Sequence, residues 1–225
     1  MNTLRTRAIV LRRTNYGEAD RIVQVITPFG KKSFMAKGVR KEKSRLAGGI
    51  ELFAISDVVI AEGRGELGIL TSARLVQFYR HIMEDYDRMQ FAYEAIKLVG
   101  KASEMLDEPE WYDVLSEVLM SLDSKTINPK LIQTWFYVRH ASLLGHELNL
   151  NIDIVGNKLN AEGRYSYDQT DKGLVEDKNG LIGSDHIKLL RLVSTKSLKI
   201  LAQVGGLDEI LGECLDTVRR HSSIY

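Results

Sequence analysis

Two periodicities divide this chain, and the change between them near Leu75 limits the folds open to it more than any other feature. Before that point come short runs rich in Val, Ile and Thr: TLRTRAIVLRR, DRIVQVIT, KKSFMAKGV, ELFAISDVVI and ELGILTSAR. Turn formers separate them at Asn15 to Gly17, Pro28 to Gly30, Gly48-Gly49 and Gly63 to Gly65. Ile22, Gln24 and Ile26 alternate with Val23 and Val25, the period of a strand.

Five short strands in about 75 residues predict a small closed barrel, an architecture that removes sheet edges and presents a face and long loops to a ligand, as oligonucleotide-binding (OB) folds do. From Leu75 onward Phe78, Ile82, Met89, Tyr93, Ile96 and Val99 recur at helical spacings, predicting one helix or two with a break near Asp85. WYDVLSEVLMSL follows Pro109 as a second helical segment. In PKLIQTWFYVRHASLL, Asn128-Pro129 supplies a cap and first-turn pair and Gly145 a stop. Trp135, Phe136, Tyr137 and Val138 cover more than one face of this helix, which places it at the centre of a core.

Residues 149–183 are rich in Asn, Asp and Gly and predict a small hairpin-and-loop insertion. Helical spacing resumes with Ser184 as an N-cap, and the lone cysteine, Cys214, reads as a small buried hydrophobe within a helix. The expected class is α+β: a five-stranded OB-fold barrel over residues 1–78, then an all-α domain over 79–225 that carries the insertion.

Charge follows the same division. Residues 1–80 hold 15 Lys or Arg against 7 Asp or Glu, whereas the remaining 145 hold 16 against 23. A formal net charge of +1 therefore hides a basic first third, a distribution suited to nucleic acid or an acidic surface. The densest part is Lys31, Lys32, Lys37, Arg40, Lys41, Lys43 and Arg45, seven cations with Glu42 as the lone acid. It falls on the third strand and the connection after it, where each Lys or Arg that neutralises a phosphate releases condensed counterions.

Arg12 and Arg13 extend the basic track on the first strand, although neighbours on a strand point opposite ways. Arg21 fits either a phosphate contact or a pair with Glu18 or Asp20, and Arg64 sits at a hairpin tip. Phe29 and Phe34 are the aromatics positioned for base stacking, with core packing as the competing role. An acidic protein or membrane surface is the alternative partner for the same patch, which would make the chain a non-enzymatic adaptor.

Other chemistries find little support. Gly63 to Gly68 spells GxGxxG, but ILTSAR continues as a strand where a phosphate-facing helix is required, so a hairpin is expected. Gly30-Lys31-Lys32 lacks the remainder of a phosphate loop. The five histidines are scattered, and no acid and base pair or activated nucleophile stands out. The expectations are a non-enzymatic protein with no cofactor and no metal. No apolar run approaches the roughly 20 residues of a membrane span. In MNTLRTRAIVLRR the apolar stretch Ala8 to Leu11 is too short for a signal-peptide core, so a cytoplasmic, nucleoid-associated protein is expected.

The motifs resemble those of the RecO family of DNA repair proteins, which are recombination mediators. The resemblance rests on AIVLRR (8–13), YGEADR (16–21), TPFGK (27–31), AKGVRK (36–41), KSRLAG (43–48) and GRGEL (63–67), then on Phe136, Arg139 and Leu143-Leu144-Gly145. It implies binding of single- and double-stranded DNA and annealing of complementary strands. With RecR, it implies help for RecA in replacing the single-strand binding protein SSB. It also implies that the helical domain takes the acidic C-terminal tail of SSB, for which Lys130 and Arg139 are the candidate contacts. Many members carry a four-cysteine zinc site in the insertion; the corresponding positions here, near Asp153, Gly156 and Glu176, are not cysteine.

Overall fold

The computed structural model of the chain describes residues 2–62 and 67–223. The alternating runs form β1 (Asn2–Tyr16), β2 (Asp20–Thr27), β3 (Gly30–Ala36), β4 (Ala54–Glu62) and β5 (Gly68–Phe78). They close into a barrel in the order β1-β2-β3-β5-β4, with β1 completing the ring against β4. β3 meets β5 in parallel through Phe34 and Met35, while the other pairings are antiparallel. This is the five-stranded OB architecture expected from the sequence.

Alternation decides what fills the barrel. Ala8 and Val10 of β1, Val23 and Val25 of β2, and Phe34 and Ala36 of β3 point inward against Val58, Ile60 and Leu70. A register shift between Val10 and Arg12, the signature of a β-bulge, bends β1 so that one strand pairs with β4 along its first half and β2 along its second. Ile9 and Ile26 are register partners with no exposed surface, yet they lie outside the interior cluster. They face outward beneath α1 (Tyr86–Met105) and α2 (Glu110–Asp123), which pack on this side of the barrel. Burying each isoleucine contributes on the order of 1.5–3 kcal/mol and fixes the helices on the sheet.

The helical period expected from Leu75 starts later. β5 runs on to Phe78, which pairs with Ala54, and a short 3-10 turn at Arg80–Glu84 separates it from α1. Leu75 and Val76 sit on the outer surface of the strand, 43% and 41% exposed, so their apolar character imitated a helix face without serving as one. α1 begins after Asp85, whose carboxylate accepts from the Arg88 N–H at 3.0 Å as an N-cap. Tyr93, one of the residues that marked the helical spacing, is 47% exposed.

The chain divides into two compact units after Ser124, the first containing the barrel with α1 and α2. The second is built on α3 (Pro129–Leu143), where Asn128 Oδ1 accepts from the Lys130 N–H at 2.9 Å and Pro129 occupies the first turn. Trp135, Phe136 and Tyr137 are buried, and Trp135 Nε1 donates to the Lys196 carbonyl. The hairpin β6 (Tyr165–Asp168) and β7 (Gly173–Glu176) forms within the polar insertion. The helices α4 (Ser184–Thr195), α5 (Leu198–Leu201) and α6 (Asp208–Ser222) follow. Gly183 rather than Ser184 occupies the N-cap of α4, its N–H donating to His186 Nδ1. Cys214 is buried in α6, and burial pushes its thiol up to about 12. Among the described residues no helix is long and apolar enough to cross a membrane.

Candidate nucleic-acid interface

The basic connection after β3 is a fixed loop. Val39 drops into the barrel interior with Ile50, and Leu46 and Ala47 pack against the same cluster. Gly38 takes a φ of +63°, a left-handed conformation that glycine adopts without steric cost. Its N–H donates to Asp20 Oδ1 at 2.6 Å, and the Arg40 N–H donates to the Ala19 carbonyl at 2.9 Å. Successive turns from Lys41 N–H to Gly38 O and from Ser44 N–H to Lys41 O tighten the remainder. The loop is thereby fastened to the β1–β2 turn and plugs one end of the barrel.

With the apolar residues turned inward, Lys37, Arg40, Lys41, Lys43 and Arg45 are left exposed. None of the five forms an ion pair among the described residues; the Arg40 guanidinium donates to the Gly17 carbonyl at 3.2 Å. Unneutralised cations held this close raise the local positive potential, and their fixed backbone reduces the ordering cost of binding a polyanion.

The rest of the expected track divides. Lys31 is committed elsewhere: its Nζ lies 2.7 Å from Glu104 Oε1 and 3.3 Å from the Gly100 carbonyl, and its side chain is 13% exposed. Its backbone N–H also donates to Asp107 Oδ1 at 2.6 Å. The hydrogen bond from Lys31, reinforced by its charge, holds the Glu104 carboxyl below the usual carboxylate range. Gly30, at φ +81°, has no Cβ to collide with the Asp107 carboxylate that caps this junction. Lys31 is thus a structural tether between β3 and α1, which corrects its assignment as a phosphate contact.

Lys32, near the start of β3, is half-buried opposite Val25. Arg13 is also drawn inward, donating to Glu51 Oε2 at 3.0 Å and to the Ile50 carbonyl. Arg12, beyond the bulge, is exposed and paired across the ladder with Gln24. Arg21 donates to Asn15 Oδ1 at 3.1 Å, across its own register pair and not to Glu18 or Asp20. Phe34 is fully buried in the barrel and cannot stack on a base, because β3 points it inward with Ala36. Phe29, in the β2–β3 turn held by Thr27 Oγ1, is 62% exposed. Arg64 and the hairpin expected at Gly63 to Gly65 fall outside the described residues; β4 and β5 pair as far as Ala61 and Ile69. The strand that follows GxGxxG rules out the dinucleotide fingerprint there.

Sequence reasoning passed over one neighbouring feature. Tyr93, Lys97 and Lys101 recur every four residues on α1 and share a groove of about 660 Å³ with Arg12, Arg13 and Gln24. The i, i+4, i+8 spacing was the available signal.

In the second unit, Lys130 and Arg139 are nine residues apart on α3, which at 3.6 residues per turn places them on opposite faces of the helix. Arg139 lies 5.9 Å from the Trp135 ring centroid and donates to the Ser194 carbonyl, while its buried Nε has no partner. Lys130 is exposed near the first turn of α3.

The insertion holds itself together without thiolates. The Asp153 carboxylate accepts from the backbone N–H groups of Val155 and Asn157 and from Asn157 Nδ2, at 3.0, 2.8 and 3.2 Å. Burial favours the protonated acid, but these hydrogen bonds prevail and hold the carboxyl below its ordinary range. Across the hairpin Asp177 accepts from Ser166 Oγ and the Asn179 N–H, the first of these chiefly lowering its pKa. A zinc ion does not fit this donor set, in which the carboxylates are consumed by turns. Among the described residues no group of three or more His, Cys, Asp or Glu is placed to hold a metal.

A closed OB barrel with an unpaired cationic loop, followed by helices interrupted by a hairpin, defines a two-unit protein of the barrel-plus-helix class. The chain belongs to the RecO family. Residues 1–79 match the family described as Recombination protein O N terminal. It is 33% identical over 162 residues to a DNA repair protein RecO of Bifidobacterium longum (strain DJO10A), covering 70% of this chain and 67% of that one. The RecO of Dehalococcoides mccartyi (strain CBDB1) is 29% identical over 218 residues, 93% of this chain and 85% of its own. That of Roseiflexus sp. (strain RS-1) is 37% identical over 121 residues, 53% of this chain, and the match spans only 42% of the relative.

Proposed function

We propose that this chain is a non-enzymatic mediator of recombinational DNA repair that holds the phosphate backbone on the loop of residues 37–45. The observation that carries the proposal is the set of five exposed cations on a loop fastened to the β1–β2 turn, none of them in an ion pair among the described residues. Such a site reads charge and not sequence, as a protein acting anywhere on a chromosome requires. Family membership supports the repair role.

On this reading the barrel binds single- and double-stranded DNA and screens two strands from each other, so that complementary strands anneal. With RecR it promotes loading of RecA on SSB-coated strands. The acidic tail of SSB is assigned to Arg139, which lies 5.9 Å from the Trp135 ring centroid, whereas Lys130 is on the opposite face of the helix. The test is annealing of complementary strands coated with SSB, with and without RecR. Acceleration that disappears when Lys37, Lys41, Lys43 and Arg45 become Gln supports the proposal. A wild-type protein that neither binds nor anneals DNA refutes it.

A further inference from the structure

We infer that the groove between β1–β2 and α1 is a binding site for single-stranded nucleic acid in which one base stacks on Tyr93 and its flanking phosphates meet Arg12 and Lys97. This rests on the DNA-binding reading of the loop and adds to it a second, strand-selective element.

The groove has the volume of a nucleotide-sized cleft, about 660 Å³, and is lined by Arg12, Gln24, Tyr93, Lys97, Lys101 and Glu104, with Arg13 at its edge. Its charge is unbalanced. Glu104, the acid among these residues, is bonded to Lys31 at 2.7 Å, and Arg13 is bonded to Glu51 at 3.0 Å. Arg12 and Lys97 are exposed and form no ion pair among the described residues. Charge complementarity therefore selects a polyanion over a neutral or basic ligand.

Tyr93 supplies what a double helix would not use. Its ring is 47% exposed and is braced from behind by Phe53, edge to face, with centroids 4.8 Å apart and planes inclined at 69°. Phe53 has a φ of +55°, a left-handed conformation uncommon for an aromatic residue, and is buried, 2% exposed. Backbone strain of this kind persists only where packing overdetermines it. The outcome is a rigid aromatic platform in a basic cleft, the combination that single-strand binders use because every base has a π-face while paired bases are shielded within the stack. Gln24, next to Arg12 across the ladder, adds a hydrogen-bonding group on the opposite wall.

The test is fluorescence anisotropy with a labelled 20-nucleotide oligo-dT and a blunt 20-base-pair duplex, for the full chain and the variants Tyr93→Ala, Tyr93→Phe, Lys97→Glu and a Lys41→Glu/Lys43→Glu loop control. The expected result is about tenfold weaker binding of oligo-dT by Tyr93→Ala, with Tyr93→Phe unchanged and duplex binding altered less than about twofold. Lys97→Glu should also weaken oligo-dT and is read alone if Tyr93→Ala fails to fold. If the loop control loses affinity for both nucleic acids while Tyr93→Ala and Lys97→Glu bind oligo-dT as wild type, the groove is not the site and the loop stands. If wild type binds neither nucleic acid, both readings fall. An acidic peptide that binds wild type but not Lys97→Glu, with oligo-dT unaffected, would reassign the groove to a protein and overturn the inference.

Discussion

Lys31 Nζ lies 2.7 Å from Glu104 Oε1 and 3.3 Å from the carbonyl oxygen of Gly100, so the first cation of the basic run joins the third barrel strand to the first helix. This contact separates residues that build the interface from residues that present it. Lys31→Gln should lower the thermal midpoint while leaving the salt dependence of DNA binding unchanged. Lys41→Gln should leave the midpoint in place and reduce the slope by about 0.7. Paired calorimetry and salt titration decide it, and the reverse pattern would return Lys31 to the phosphate site. The carboxyl of Glu104 titrates below its unfolded value, so the stabilisation is present above the ordinary carboxylate range and is lost as pH falls through the depressed pKa. Lys31→Gln should remove that part of the acid dependence.

The two phenylalanines flanking the start of the run make opposite contributions. Phe34→Ala should destabilise the fold by about 3–5 kcal/mol, because it empties space at the centre of the barrel. Phe29→Ala should change stability by no more than about 0.5 kcal/mol, as an exposed turn residue does. Urea unfolding of the two variants measures both effects, and a mild Phe34→Ala would contradict the inward register of β3.

The insertion should fold without metal. Asp153→Ala removes the acceptor for three N–H groups in its turn and should lower the thermal midpoint by several degrees, with faster amide exchange concentrated near residues 151–158. A chelator should leave the wild-type midpoint unchanged. A fall in the midpoint on chelation would show that a metal shares the turn.

His221 predicts how the second unit responds to acid. Its Nε2 is 2.7 Å from the His146 carbonyl and must donate, which leaves Nδ1 to accept from the Tyr167 hydroxyl at 2.9 Å. Burial lowers its pKa, outweighing the His146 carbonyl, which favours the proton. The folded state therefore keeps His221 neutral after the unfolded chain has taken up a proton. Stability is full above the ordinary imidazole value of about 6.5 and declines as pH falls below it. His186, also lowered by burial, acts in the same direction. Guanidinium midpoints from pH 8 to pH 5 should fall, and less steeply in His221→Gln; equal slopes would contradict a lowered pKa at His221.

Much of the barrel was readable in the sequence because period-two alternation and turn residues are local, and the observed strands fall on the segments so marked. The boundary at Leu75 was not, because Leu75 and Val76 are apolar residues on an outer strand surface, where sequence spacing cannot distinguish exposure from burial. The exposure of Tyr93 was not legible either, because helical spacing places it on α1 without saying that the fold leaves it half open over Phe53. The loop cations were recognisable from density of charge alone. The diversion of Lys31 was not, since Glu104 lies 73 residues away and meets it only through the tertiary fold.

The salt dependence of single-strand binding decides whether the loop of residues 37–45 carries phosphate contacts. If each of the five loop cations meets one phosphate, the loop contributes roughly −3.5 to the slope of log affinity against log salt, and converting Lys37, Lys41, Lys43 and Arg45 to Gln should reduce the magnitude of that slope by about 3 with the thermal midpoint retained. A quadruple variant that binds with wild-type affinity and slope would show that the loop makes no phosphate contact.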